Sequence, residues 1–176
     1  MDASKTRFFQ LLAVLTRHRV ELIIVGGVAA LLEGAPILTL DLDVVPRQTE
    51  DNLDRLLEAL QELQARYRDP AGRLIRPDAD RLRTNRIHLL ATDLGALDIL
   101  KDLGEGFSYE DLQERTHEYE LAGLRVRALD LRTLIEVKER VNRDKDRAVL
   151  PTLRRTLEEK EARHPAAERP AKTDSD

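Results

Sequence analysis

At 176 residues the chain is long enough for one domain with a sizeable core, and its 41% hydrophobic and 35% charged residues fit a globular protein with a heavily charged surface. A formal net charge of −4 and an aromatic content of 3% argue against a general nucleic-acid binder, while leaving room for a local basic patch. With no cysteine, disulfides and thiolate metal sites are excluded; no apolar run nears the ~20 residues of a membrane span and the first residues lack the apolar core of a signal peptide, which predicts a cytoplasmic protein without membrane contact.

Phe8, Leu11, Leu12 and Leu15 recur at helical spacing and predict an amphipathic helix over 4–18. Residues 21–25 read as a buried strand ending at Gly26-Gly27. Residues 28–32 read as a short helix stopped by Gly34 and Pro36. A second strand over 39–45 is closed by Pro46. Thr49 is placed to cap a helix whose stripe is Leu53, Leu56, Leu57, Leu60 and Leu63, and Asp69-Pro70 and Gly72 break it. The polar stretch 73–80 predicts a short strand and a loop. Strands over 86–91 and 96–100 flank a turn at Thr92–Gly95, and a second pair over 117–121 and 124–128 turns at Ala122-Gly123. Asp130 caps a helix running to Asn142, and a last helix covers 149–162 with Pro151 in its first turn. The expected architecture is α/β (α+β): one domain over 1–162 built on a mixed, twisted sheet flanked by helices, with C-terminal helices and a disordered tail over 163–176.

The segment Ile23–Val45 carries most of the chemical information. Asp41 and Asp43 are two apart in a strand, so both carboxylates lie on one face, with Cα atoms roughly 6.6 Å apart, while Leu42 and Val44 face the core. Two such carboxylates repel unless a cation sits between them, and an all-oxygen site suits Mg²⁺ first and Mn²⁺ second. The competing reading is a strand-end pair that caps a neighbouring loop. Gly26 and Gly27 permit close backbone approach to a phosphate, with plain turn formation as the alternative. Arg66, Arg68, Arg73, Arg76, Arg81, Arg83 and Arg86 form a basic stretch that reads either as a guide for an RNA acceptor or as a solvated loop. The four histidines show no metal-ligand spacing.

A hydrophobic run, Gly-Gly, about a dozen residues and Asp-x-Asp together resemble the signature of the nucleotidyltransferase superfamily with the polymerase-beta-like fold. The likeness is greatest to the small nucleotidyltransferases of bacterial toxin–antitoxin modules, and spans roughly residues 23–157. It implies a third carboxylate on a later strand, here Asp98 in GALDIL, and a helical Lys followed by Arg-x-Lys-Asp, here Lys138, Arg143, Lys145 and Asp146 in KERVNRDKD. Asp98 stands between apolar neighbours, which fits that role; pairing with a nearby arginine is its alternative. For Lys138, Arg143 and Lys145 the alternative is a solvated helix face paired with Glu136, Glu139 and Asp144. The resemblance implies two metal ions held by Asp41, Asp43 and Asp98, ATP or another NTP as donor on Gly26, Gly27, Lys138, Arg143 and Lys145, and a tRNA acceptor, as in the toxins. The other outcomes are an antitoxin that AMPylates a partner protein, an idle binding module of a toxin–antitoxin pair, or a small-molecule transferase. The pattern departs from the family at one point: Thr39 is kept, but the arginine usual before Asp-x-Asp is absent from Ile37, Leu38 and Leu40.

Overall fold

The computed structural model describes residues 3–163, with side chains from residue 7 onward. The expected tail therefore lies outside the described residues, apart from Arg163, which closes the last helix.

Among the described residues seven strands form one mixed sheet, as the sequence predicts, in the order β3-β4-β5-β2-β1-β7-β6. The strands are β1 (Leu22–Val25), β2 (Asp41–Pro46), β3 (Arg66–Tyr67), β4 (Ile87–Thr92), β5 (Gly95–Leu100), β6 (Thr116–Leu121) and β7 (Leu124–Leu129). The helices are α1 (Ala3–Arg17), α2 (Gly26–Leu32), α3 (Glu50–Glu62), α4 (Ala79–Thr84), α5 (Tyr109–Leu112), α6 (Leu131–Val141) and α7 (Asp144–Arg163). Among the described residues no helix is long and apolar enough to cross a membrane. Strand β2 runs parallel to β5 and antiparallel to β1, and β1 runs parallel to β7.

The registers divide the sheet into two faces. On one, Leu42, Val44, Leu97 and Ile99 are buried, and Pro46, His88 and Ile99 meet Leu53 and Leu56 of α3 and Leu82 of α4. Burying such side chains is the main driving force for the fold, at about 25 cal/mol per Å² of apolar surface. The other face carries Asp41, Asp43 and Asp98 beside Val25, because each strand alternates its side chains. Across from them stand α6 and the start of α7.

Several local expectations shift. Helix α2 begins at Gly26, so the glycine pair forms its first turn instead of preceding it. Strand β2 starts at Asp41 and not at residue 39; just before it, the Thr39 hydroxyl donates to the Asp41 carbonyl (3.2 Å). The short strand expected within 73–80 lies earlier, at β3, and the stretch instead leads into α4, capped by Asp78 accepting from the Arg81 amide. The short helix α5, with a Ser108–Asp111 capping box, has only four residues to announce it. Asp130 caps α6 as expected, by accepting from the Thr133 amide. Helix α7 starts at Asp144 instead of Val149, which puts Pro151 in its interior, where proline has no amide hydrogen to give the preceding turn.

The far end of α7 is fastened by a buried carboxylate. Glu33, which closes α2, has a side chain only 1% exposed and accepts hydrogen bonds from Lys160 of α7 and from His117 (2.6 Å) and Tyr119 (2.5 Å) of β6. Burial pushes its pKa up, but these three donors outweigh burial and hold it below the usual carboxylate range. A carboxylate with a lowered folded pKa contributes stability above its unfolded value, near 4.5, and loses it as pH falls through the folded value. Glu33→Gln is therefore expected to melt lower than wild type at pH 7, with the gap closing below pH ~4 in thermal melts taken across that range.

Candidate active site

The three aspartates are placed by strand pairing. Asp43 pairs in register with Val25 on one side and Asp98 on the other, and Asp41 lies two residues along on the same face. They open onto a cleft of about 480 Å³, walled by the loop Ile37–Leu40, by Leu134, Val137, Lys138 and Val141 of α6, and by Lys145 and Asp146 of α7.

Asp43 is the most perturbed group. Burial, then the charges of Asp98 and Asp41, push its pKa up to about 6, against the opposing pull of Lys145 and of the Gly27 amide that donates to it. Asp98, buried, is also raised, chiefly by burial, although Arg68 and Lys145 pull the other way. Arg68 donates to Asp98, and its Nη1 lies 3.8 Å from Asp41 Oδ2.

The glycine pair is explained by what leans on it. A Cβ at Gly26, whose φ is +63°, would lie 2.2 Å from Asp43 Oδ2, and one at Gly27 would lie 2.5 Å from Thr39 Oγ1. The glycines thus let Asp43 and Thr39 close onto the backbone, and the Gly27 amide is already committed to the Asp43 carboxylate.

Comparison with protein-family models and with curated proteins gives no match. Solved structures do match. A Thermotoga maritima protein assigned to the nucleotidyltransferases, TM1012, has a TM-score of 0.53 at 17% identity, covering 86% of this chain and 91% of that one. Lincomycin-bound lincosamide antibiotic adenylyltransferase LnuA scores 0.59 at 10% identity, covering 85% and 95%. The antibiotic-resistance factor ANT(2'')-Ia scores 0.59 at 17% identity, covering 93% and 88%. The chain has the nucleotidyltransferase fold.

Within this nucleotidyltransferase fold the expected cationic residues separate into two kinds. Lys145 is exposed, lines the cleft, and makes no ion pair among the described residues; its charge acts on Asp43 and Asp98. Lys138 and Arg143 also line the cleft but clamp Asp146, at 2.9 and 2.7 Å. The alternative foreseen for them, pairing with Glu136, Glu139 and Asp144, is not what forms. Burial pushes the Asp146 carboxyl up, and these two donors more than offset it, holding its pKa below the usual range.

Asp98 does both things the sequence allowed: it faces Asp41 and Asp43, and it pairs with an arginine. The all-oxygen donors and the crowding around Asp43 fit a divalent cation, which would relieve the repulsion. Yet among the described residues no three His, Cys, Asp or Glu side chains already converge as a metal cage. Arg68 supplies part of the positive charge at that position.

The arginine stretch is largely satisfied internally. Arg66 pairs with Asp93, Arg68 with Asp98, Arg73 with Asp69, Arg81 with Asp78, Arg83 with Glu50 and Arg86 with Asp102, and Arg76 bonds to Gln64. The surroundings of the cleft are apolar instead. Leu38 (90% exposed), Leu40 (70%) and Val141 line it, and Ile87 and Leu89 of β4 lie exposed on the carboxylate face beside Leu100 and Asp98. The sequence conceals this collar, because Leu40 falls inside the strand expected over 39–45 and Leu38 stands just before it.

Proposed function

We propose that this chain is a nucleotidyltransferase that moves an NMP group from an NTP to an acceptor hydroxyl and releases pyrophosphate. The observation that carries the reading is the placement of Asp41, Asp43 and Asp98 on one sheet face lining one cleft, with Lys145 opposite, inside a fold shared with adenylyltransferases. Asp41, Asp43 and Asp98 would hold Mg²⁺ or Mn²⁺, which supplies charge neutralisation at the α-phosphate and activation of the acceptor oxygen. Lys145 meets the triphosphate as an uncommitted cation at the mouth of the cleft. Lys138 and Arg143 border the nucleotide while Asp146 fixes their positions. Asp98, nearest the open face of β4, is the group placed to take the acceptor's proton.

The surface around the site supports one class of acceptor over another. A tRNA, as in toxin-type enzymes, needs cations not already spent, and the arginine stretch offers few. An apolar collar beside the carboxylates suits a hydroxyl carried by a protein partner, as in antitoxin-type AMPylation. A second reading draws on the same collar and on LnuA, which was solved with lincomycin: a small acceptor with an apolar face.

Incubation with each α-³²P NTP, Mg²⁺, total tRNA and cell lysate tests this. The expected result is label on protein from the α-labelled and never from the γ-labelled nucleotide, weakened roughly 10-fold or more by Lys145→Ala. Label on RNA would restore the tRNA acceptor, and label on a small molecule would favour the second reading. No label anywhere, together with no NTP binding by the folded protein, would leave an idle binding module.

A further inference from the structure

Arg68 stands on the carboxylates themselves. Its amide donates to the Leu89 carbonyl (2.9 Å), extending β3 along β4, and Leu89 is paired in register with Asp98. Backbone pairing therefore aims the guanidinium at the carboxylate face, where one nitrogen donates to Asp98 and the other lies 3.8 Å from Asp41. The guanidinium is a fixed fork of N–H donors that suits two carboxylates at once. It thus neutralises the charge that would otherwise attract a divalent cation. Two cations crowded onto the same oxygens repel each other strongly.

We propose that Arg68 is a built-in counter-ion that holds Asp41 and Asp98 in the metal-free protein and competes directly with the divalent cation for them. The inference rests on the nucleotidyltransferase reading above. Metal binding has to displace the guanidinium, and a bound triphosphate gives the displaced cation a new anionic partner. Metal and nucleotide therefore bind cooperatively, and the metal alone binds weakly.

Mn²⁺ titration, followed by the paramagnetic resonance signal of the unbound ion, tests this without any turnover. Without nucleotide, Arg68→Gln is expected to bind Mn²⁺ at least ~10-fold more tightly than wild type, and Arg68→Lys to fall between them. Added ATP should tighten Mn²⁺ binding in wild type by a larger factor than in Arg68→Gln. Circular dichroism melts establish that each variant is folded, and a purely structural role for Arg68 gives no gain in Mn²⁺ affinity. If Asp43→Asn removes Mn²⁺ binding but Arg68→Gln binds no better than wild type, the metal site stands and the counter-ion role is wrong. If Asp43→Asn binds Mn²⁺ as well as wild type in both backgrounds, the metal-dependent reading falls and takes this inference with it.

Discussion

Asp43→Asn is expected to abolish transfer while making the cation-free protein more stable. The loss of activity should be at least ~10³-fold, since a ligand that positions a cation at the reacting phosphate supplies several kcal/mol of barrier lowering. The gain in stability follows from the pKa of about 6, raised from 3.8 by burial and by the neighbouring Asp98 and Asp41 charges. A carboxylate whose folded pKa lies above its unfolded value favours the fold while protonated, and that contribution disappears as pH rises through 6. At pH 8 the ionised Asp43 therefore works against the fold, and a neutral Asn, still able to accept from the Gly27 amide, removes the penalty. The expected difference is on the order of 2 kcal/mol at pH 8, shrinking to nothing near pH 4. Melts of both proteins in chelator across that range check it. A variant less stable than wild type at pH 8 would mean that Asp43 is structurally paired.

Asp146→Ala is expected to cost about 3 kcal/mol, because it leaves the half-buried Lys138 without its carboxylate and unfastens α6 from α7. For a chain of this length that corresponds to a drop in Tm of roughly 6–12 °C. An exposed pair further along α7, Arg155 with Glu159, provides the control: Arg155→Ala should cost no more than ~0.5 kcal/mol. Since Asp146 also fixes the turn that carries Lys145, transfer should fall with it, even under conditions where the variant remains folded. An Asp146→Ala protein that melts like wild type would make the clamp a surface ornament and return Lys138 and Arg143 to the nucleotide.

The carboxylate face was legible because strand alternation is a two-residue rule: once 39–45 and 96–100 read as strands, Asp41, Asp43 and Asp98 had fixed faces. The mixed sheet, the early helices and the capping role of Asp130 were legible for similar local reasons, whereas Thr49 stands at the N-cap position of α3 but makes no side-chain cap bond. Arg68 was not, since a two-residue strand at Arg66–Tyr67 has no period to detect, and among seven arginines nothing in the sequence distinguishes the one aimed inward. The start of α7 was missed because Pro151 reads as a first-turn residue, while the true first turn, Asp144 to Arg147, is a run of charges with no apolar stripe. The commitment of Lys138 and Arg143 to Asp146 depends on how α6 and α7 fold back on each other, which pattern along one helix does not reveal.

Parallel pairing has a further consequence, for how the protein acquires its site. Asp43 and Asp98 meet across strands 55 positions apart, and Ile24 joins Ala128 across 104. Such distant partners are costly to close and form late, after the local hairpins β4–β5 and β6–β7. A chain still emerging from the ribosome holds Asp41 and Asp43 long before it can offer them Asp98, and α7 comes last of all. On this plan the three carboxylates share one face only after β5 has been made and has paired with β2, so the face is assembled by long-range pairing and not by any local segment.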